Sequence, residues 1–176
     1  MRISVGFSTS SMWFSKIIRL VTRSKVSHCY IRLYDEFLKT MLVIHVERTV
    51  EILRAKEFDR DNMALEEYVI DDDRLDASIT RNLEHLGKKF DWWDWAGWFP
   101  FITKWTKAKI KAPTHSFDKM ICVDYVMRVL NNAGIARLPY GVMSPELLRQ
   151  WCEYNYEELG WIMVNGPSNE TLVCTK

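Results

Sequence analysis

The chain contains 176 residues, of which 48% are hydrophobic and 27% are charged. These proportions predict one packed domain spanning residues 1–176, and they exclude a disordered or low-complexity protein. The 24 Lys and Arg residues nearly balance the 23 Asp and Glu residues, which leaves a formal net charge of +1. No nucleic-acid partner is therefore expected.

The four cysteines are widely spaced and form no CxxC pair. A chain of this length does not need disulfide staples, so reduced thiols are expected. The first residues lack the pattern of a secretory signal, and no run reaches the roughly 18 apolar residues of a membrane span. Together these patterns predict a cytoplasmic protein.

The first part of the chain has the hydrophobic periodicity of strands and one helix. Alternating apolar residues predict a strand in residues 1–7, and apolar residues at i, i+4 spacing predict an amphipathic helix over residues 13–21. Two stretches with period 2, residues 26–34 and 41–53, then predict an antiparallel pair of strands.

Two histidines lie on this predicted pair of strands. Strand alternation places His28 and Tyr30 on one face of the first strand, and His45 and Glu47 on one face of the second. If the two faces coincide, one imidazole can orient the other, as the third member of a catalytic triad orients the base. Glu47 is a rival for that role, and each histidine could instead be a satisfied polar residue on a half-buried strand.

The rest of the chain is predicted to be mainly helical. An acidic and polar stretch that includes Asp59 and Asp61 predicts a surface connection after the strands. Ser144 and Pro145 have the residue types of an N-cap and a first helical position. The predicted elements are a strand at residues 65–70, helices over 75–86, 117–133 and 145–151, and one or two short strands within 161–164 and 172–174.

Cys122 lies within the first turns of the helix predicted over residues 117–133. Free N–H groups and the helix dipole favour an anion at this position, so the thiol pKa can fall from about 8.5 and give a nucleophile at neutral pH. The alternative is a small core residue, which is a common role for buried cysteine.

Five short motifs resemble the circularly permuted papain-like hydrolases of the NlpC/P60 superfamily, in particular their YiiX-like branch. In chain order they are KIIRLVTRSKVSHCYI, VIHVERTV, HLGKKFDW, ICVDYVMRVLNNAG and MSPELL. The resemblance covers roughly residues 3–148, and it depends on the order of the motifs because each is weak alone. It implies an α+β fold in which an antiparallel sheet packs against the helix that carries the cysteine.

The resemblance also implies a site. Cys122 corresponds to the nucleophile, His28 to the general base and His45 to the third, orienting residue. The implied function is a cysteine hydrolase that cleaves a peptide or peptidoglycan-type amide, or a thioester, through an acyl-enzyme and without a metal or other cofactor. Cys29 departs from the small aliphatic residue that usually follows the histidine, a change that affects the pocket wall more than the catalytic atoms.

Two other functions stay open at this point. Permuted relatives also include acyltransferases and lipases, so the substrate could be an acyl lipid. The domain could also be a non-catalytic module that binds a protein or a membrane.

Five of the eight tryptophans lie within residues 92–105. This stretch can pack in the core, form a hydrophobic lid beside Cys122, or make peripheral membrane contact through residues 92–111, where lysines follow the aromatic side chains. Trp95 and Trp98, together with Tyr30, are the candidate substrate contacts.

Overall fold

The computed structural model describes residues 2–90, 119–139, 143–168 and 172. The strands are β1 (Arg2–Ser10), β2 (His28–Asp35), β3 (Thr40–Val46), β4 (Val50–Arg54), β5 (Asn62–Asp71), β6 (Lys89–Phe90), β7 (Lys119–Met120) and β8 (Ile162–Asn165). The helices are α1 (Trp13–Thr22), α2 (Ala55–Asp61), α3 (Arg74–Asn82), α4 (Cys122–Asn132) and α5 (Pro145–Asn155).

Six of the strands form one antiparallel sheet in the order β4-β3-β2-β1-β5-β8. The predicted α+β class is therefore confirmed. Alternate residues of β1, namely Ile3, Val5 and Phe7, are fully buried in the main core together with apolar side chains of α4. This alternation is the sequence pattern that predicted the strand.

The opposite face of the sheet is also covered, by Tyr30 of β2 and by α2. The Tyr30 ring packs directly over Gly6. A Cβ at Gly6 would lie 2.3 Å from the ring of Tyr30, its partner on β2. Phe58 of α2 packs against the other side of this region, with its ring centroid 4.6 Å from that of Tyr30. Glycine is needed here because the tyrosine ring occupies the space of a side chain.

The single strand predicted over residues 41–53 is wrong, because β3 and β4 form a hairpin instead. The amide of Glu47 donates to the carbonyl of Thr49, and this contact closes the turn. The amide of Phe90 donates to the carbonyl of Arg48, and the amide of Val50 donates to the carbonyl of Lys88. The break is therefore fixed by a chain segment about forty residues away, which local periodicity does not report.

The surface connection predicted around Asp59 and Asp61 is also wrong in part, because these residues belong to α2. This short helix buries Ala55 and Phe58. Two apolar contacts spaced by three residues in a charged heptapeptide give a weak periodic signal. Helix α2 is consequently stabilised by packing on the sheet more than by its own sequence.

Helix α4 begins five residues later than the predicted start at residue 117. Met120 lies in β7, which pairs in parallel with β6, and Ile121 is extended with φ −104° and ψ 163°. Cys122 is therefore the first residue of the helix. The Cys122 thiol therefore lies closer to the free N–H groups of the helix N-terminus than the predicted start implied.

The remaining predicted elements are observed with small changes in their ends. Helix α1 ends at residue 22, and the helix predicted over residues 75–86 ends as α3 at Asn82, followed by a 3-10 turn over Leu83–His85. The N-cap prediction at Ser144 is confirmed, since its hydroxyl accepts from the amide of Leu147 at 3.2 Å.

Two predictions fall outside the part of the chain that the structure describes. They are the Trp-rich stretch beyond Phe90 and most of the second tail strand, residues 173–174. None of the described helices has the length and the apolar character that a membrane crossing requires.

Candidate active site

An open cleft lies at one end of the strands of the six-stranded sheet. At this end of the sheet β1 and β3 finish, while β2 and β5 begin, because adjacent antiparallel strands alternate in direction. Its walls are formed by Ser10, Ser15, Ile18, Ser27, His28, His45, Val46, Glu47, Asn62, Phe90, Ile121, Cys122 and Pro145. The three predicted catalytic residues thus lie in one cavity, although they are up to 94 positions apart in the sequence, from His28 to Cys122.

Cys122 contributes its thiol from the N-terminus of α4, and only 6% of the residue is exposed. Burial by itself raises a thiol pKa, yet the pKa of Cys122 is held well below its ordinary value. The largest cause is the hydrogen bond from the side chain of Cys29, followed, against burial, by the positive charge and a hydrogen bond of His28. The site therefore favours a thiolate at Cys122.

His28 and His45 meet edge to face, with ring centroids 5.5 Å apart and an interplanar angle of 90°. Phe58 packs against both rings, at centroid distances of 6.2 Å from His28 and 5.1 Å from His45. Within the described ranges, Nε2 of each histidine has no hydrogen-bond partner. Packing against Phe58 consequently holds the two rings in place.

His45 is a neutral imidazole at physiological pH. Burial, and secondarily the charge of His28, lower its pKa to about 3. Its Nε2 lies 3.4 Å from Oε1 of Glu51, outside hydrogen-bond geometry. Glu47, the other residue predicted as an orienter, also lines the cleft, but the ring that contacts His28 is that of His45.

Tyr30 was predicted as a substrate contact, and the structure places it away from the cleft. It is fully buried and its hydroxyl donates to Glu67 at 2.6 Å. Arg32, two residues along on the same face, donates to the same carboxylate at 2.9 Å and to Asp59 at 2.7 Å. Strand alternation identifies the shared face but does not show that α2 covers this part of it.

The other two predicted substrate contacts, Trp95 and Trp98, lie outside the described residues. Phe90, at the start of that stretch, does line the cleft.

A chain of serines supports the start of β2, and sequence reasoning missed it. The amide of Ser10 donates to Oγ of Ser15 at 3.2 Å, and Oγ of Ser15 is hydrogen-bonded to Oγ of Ser27 at 2.5 Å. The amide of Ser27 donates to the carbonyl of Ser8. These contacts fix the backbone directly before His28. Clustered serines near a helix start give only a capping signal in sequence.

Cys29, which was expected to affect the pocket wall, is not among the residues that line the cleft. It is 1% exposed, belongs to the main core and is a free thiol, as is Cys122. Burial, and then the hydrogen bond and negative charge of Cys122, raise the pKa of Cys29 well above its ordinary value. Cys29 thus stays protonated.

No three His, Cys, Asp or Glu side chains converge as metal ligands would within the described part of the chain. The cleft contains the thiol of Cys122 and the imidazoles of His28 and His45, which pack on Phe58. These are residue types used in nucleophilic catalysis.

The sheet order and the cleft define the class of protein as an α+β fold with a cysteine and two histidines in a cleft at the ends of the central strands. No protein-family model and no curated protein matches the sequence. Among solved structures, the chain is similar to the crystal structure of the metalloprotein YiiX from Escherichia coli O157:H7. The TM-score is 0.55 and the identity 16%, and the match covers 98% of this chain and 91% of that chain. The fold is therefore YiiX-like.

Proposed function

We propose that this protein is a cysteine hydrolase of the permuted papain-like type that cleaves an amide or thioester bond through an acyl-enzyme. The observation that carries the proposal is that Cys122, at the N-terminus of α4, lines the same open cleft as His28 and His45. The lowered pKa of the Cys122 thiol agrees with it. A nucleophile and a base within reach of each other are the minimum for thiol-based acyl transfer.

In the proposed mechanism the Cys122 thiolate attacks the carbonyl carbon of the substrate. The backbone N–H of Cys122, at the start of α4, stabilises the resulting oxyanion. His28 donates a proton to the departing amine or thiol and then accepts one from the water that hydrolyses the acyl-enzyme. His45 contacts the ring of His28 edge-on and orients it.

The lining of the cleft supports a substrate with both polar and apolar parts. Its hydroxyl and amide groups come from Ser10, Ser15, Ser27 and Asn62, whereas Ile18, Val46, Phe90 and Ile121 form apolar wall. A peptide or peptidoglycan-type amide satisfies both requirements.

Alkylation of Cys122 tests the activated thiol. The protein is treated with iodoacetamide between pH 5 and 9, and modification is quantified by mass spectrometry of the peptide MICVDYVMR. An ordinary thiol with a pKa of about 8.5 is only about 0.3% thiolate at pH 6. We expect the labelling rate of Cys122 to change little between pH 6 and 8.

Two variants make this measurement specific. His28→Gln removes the positive charge beside the thiol and is expected to restore the steep pH dependence of an ordinary cysteine. Cys152→Ala removes another buried thiol that does not line the cleft, and labelling of Cys122 should not change. If wild-type Cys122 reacts no faster than a free cysteine peptide at pH 6, the site is not a nucleophile and the domain is a binding module.

Trapping of an acyl-enzyme distinguishes the bond that is cleaved. A peptide anilide, a peptide thioester and a fatty-acyl ester are each mixed with the protein and quenched in acid. Intact-mass analysis then shows whether an acyl group is attached and on which cysteine. An adduct on Cys122 from the anilide or thioester supports the proposal, whereas an adduct from the fatty-acyl ester alone favours a lipid enzyme.

A further inference from the structure

The outer face of α1 carries large apolar side chains that the core does not bury. Ser15 and Ile18 lie on the inner face of this helix, where they line the cleft. Trp13 and Leu20 are seven residues apart and therefore share the outer face, and they are 65% and 78% exposed. Met12, directly before the helix, is 37% exposed. Adjoining exposed apolar side chains of this size are typical of a surface that contacts a partner.

The same segment is rich in cations and contains no acidic residue. The first Asp or Glu of the chain is Asp35. Lys16 lies on α1, and Arg23 and Lys25 follow the end of the helix; all three side chains are exposed. Within the described part of the chain, none of the three forms an ion pair with a carboxylate. The segment therefore has a local positive charge in a protein whose formal net charge is only +1.

One carboxylate contacts this segment, and its charge is compensated on another helix. The hydroxyl of Ser24 donates to the carboxylate of Glu146 on α5. Arg149, one turn further along α5, pairs with the same carboxylate at 2.9 Å. Glu146 therefore does not neutralise the cations of α1 and the residues after it, and their charge can attract an anionic partner.

We propose that α1 and residues 23–25 bind the surface of an anionic lipid membrane. A basic amphipathic helix with exposed Trp and Leu side chains buries them at the headgroup layer, while its cations attract the negatively charged lipids. A nucleic acid would contact the cations but leave Leu20 in water, whereas a membrane surface binds both groups. Because Ser15 and Ile18 line the cleft from the other face of α1, the bound helix lies between the lipid surface and the cleft.

This membrane contact does not depend on the proposed hydrolysis, since it concerns an outer surface and can be measured without a substrate. It also differs from the membrane contact expected of residues 92–111, which lie outside the part of the chain that the structure describes. Substitutions in each segment distinguish the two.

Co-sedimentation with lipid vesicles tests the contact. The full chain is mixed with vesicles of phosphatidylcholine alone and with vesicles that contain one third phosphatidylserine. The Kd is obtained from the bound fraction across a lipid titration. We expect binding to the anionic vesicles only, and we expect added salt to weaken it, because salt screens the attraction between the cations and the lipid surface.

Two variants separate the apolar and the charged contributions of the segment. Leu20→Ser removes an apolar side chain that is 78% exposed and should raise the Kd about tenfold. In the triple variant Lys16→Gln, Arg23→Gln, Lys25→Gln, each lost charge should raise the Kd about fivefold. All four side chains are exposed, so the substitutions should preserve the fold, which circular dichroism checks.

Two matched controls lie on other surfaces. Phe37→Ser removes an apolar side chain that is 93% exposed, in the turn between β2 and β3 and next to two acidic residues, Asp35 and Glu36. Lys56→Gln removes an exposed cation of α2. Neither control should change the Kd for anionic vesicles.

The inference is overturned if the protein does not bind anionic vesicles, or if Phe37→Ser weakens binding as much as Leu20→Ser does. Binding that both α1 variants retain also overturns it, and loss of that binding in the double variant Trp95→Ala, Trp98→Ala then assigns the contact to residues 92–111. Vesicle binding without any acyl-enzyme refutes the proposed hydrolase alone. An acyl-enzyme on Cys122 without vesicle binding refutes the membrane contact alone.

Discussion

Acidification should destabilise this protein through His45, and the size of the effect can be worked out from the structure. His45 is 2% exposed and its pKa in the folded protein is about 3, against 6.5 for an exposed histidine. The causes are burial and, after it, the charge of His28. Between these two pKa values the unfolded chain binds a proton at His45 that the folded protein does not bind.

The sign and magnitude follow from this difference. Because the pKa is lowered on folding, the contribution is fully present above pH 6.5 and is lost as the pH falls toward 3. Each pH unit in that window corresponds to about 1.4 kcal/mol. Lowering the pH from 7.5 to 5 crosses 1.5 units of the window, so His45 should account for a loss of about 2 kcal/mol in the free energy of unfolding.

Urea unfolding followed by tryptophan fluorescence at pH 7.5 and pH 5 measures this loss. In His45→Asn the pH-dependent part should shrink by about 2 kcal/mol relative to wild type, whatever the variant does to stability at neutral pH. Val43→Ala is the matched control, since Val43 is also buried on β3 but carries no proton. Its unfolding free energy should be lowered equally at both pH values.

The reasoning is refuted if His45→Asn retains the full pH dependence of the wild type. Such a result would mean that the imidazole of His45 becomes protonated in the folded protein without difficulty. The ring would then be exposed to water rather than packed between His28 and Phe58, and it could not act as a neutral orienting residue.

Three further substitutions test the packing around the site by urea denaturation. Glu67→Gln leaves the buried guanidinium of Arg32 without its fully buried charge partner and should cost about 3–5 kcal/mol; a loss below about 1 kcal/mol would contradict the assigned network. Gly6→Ala forces a Cβ against the Tyr30 ring at 2.3 Å and should cost at least about 1–3 kcal/mol, so unchanged stability would show that the ring moves freely. Ser144→Ala removes the N-cap acceptor of α5 and should cost about 1 kcal/mol, with no loss expected if water replaces the hydroxyl.

Much of the sheet could be predicted because its strands have one apolar face that repeats every second residue. The alternation of Ile3, Val5 and Phe7 locates β1, and the alternation around His28 locates β2. The hairpin between β3 and β4 could not be predicted in this way, since its turn depends on hydrogen bonds to Lys88 and Phe90. Local sequence shows the hydrophobic periodicity of a strand, whereas the position of this turn is determined by hydrogen bonds to residues far along the chain.

The candidate site likewise has features that local sequence predicts and features that depend on packing between distant elements. The shared face of His28 and His45 is a local property of two strands, and the structure brings the two rings together. Their catalytic roles remain predictions. The influence of Cys29 on the pKa of Cys122 could not be predicted, because it depends on where α4 packs on the sheet and on a helix start that periodicity placed five residues too early. A residue's neighbours across elements are set by packing, which no single segment encodes.

The three buried thiols show that burial alone does not determine the reactivity proposed here. Burial raises the pKa of Cys152 far above its ordinary value, with a further contribution from the charge of Glu66. Cys29 is shifted in the same direction, but the pKa of Cys122 is shifted in the opposite one. What distinguishes Cys122 is a donor thiol on one side and the positive charge of His28 on the other, at a helix N-terminus. Cys29 and His28 thus lower the pKa of the same thiol, and replacing Cys29 should raise the pKa of Cys122 and weaken the nucleophile.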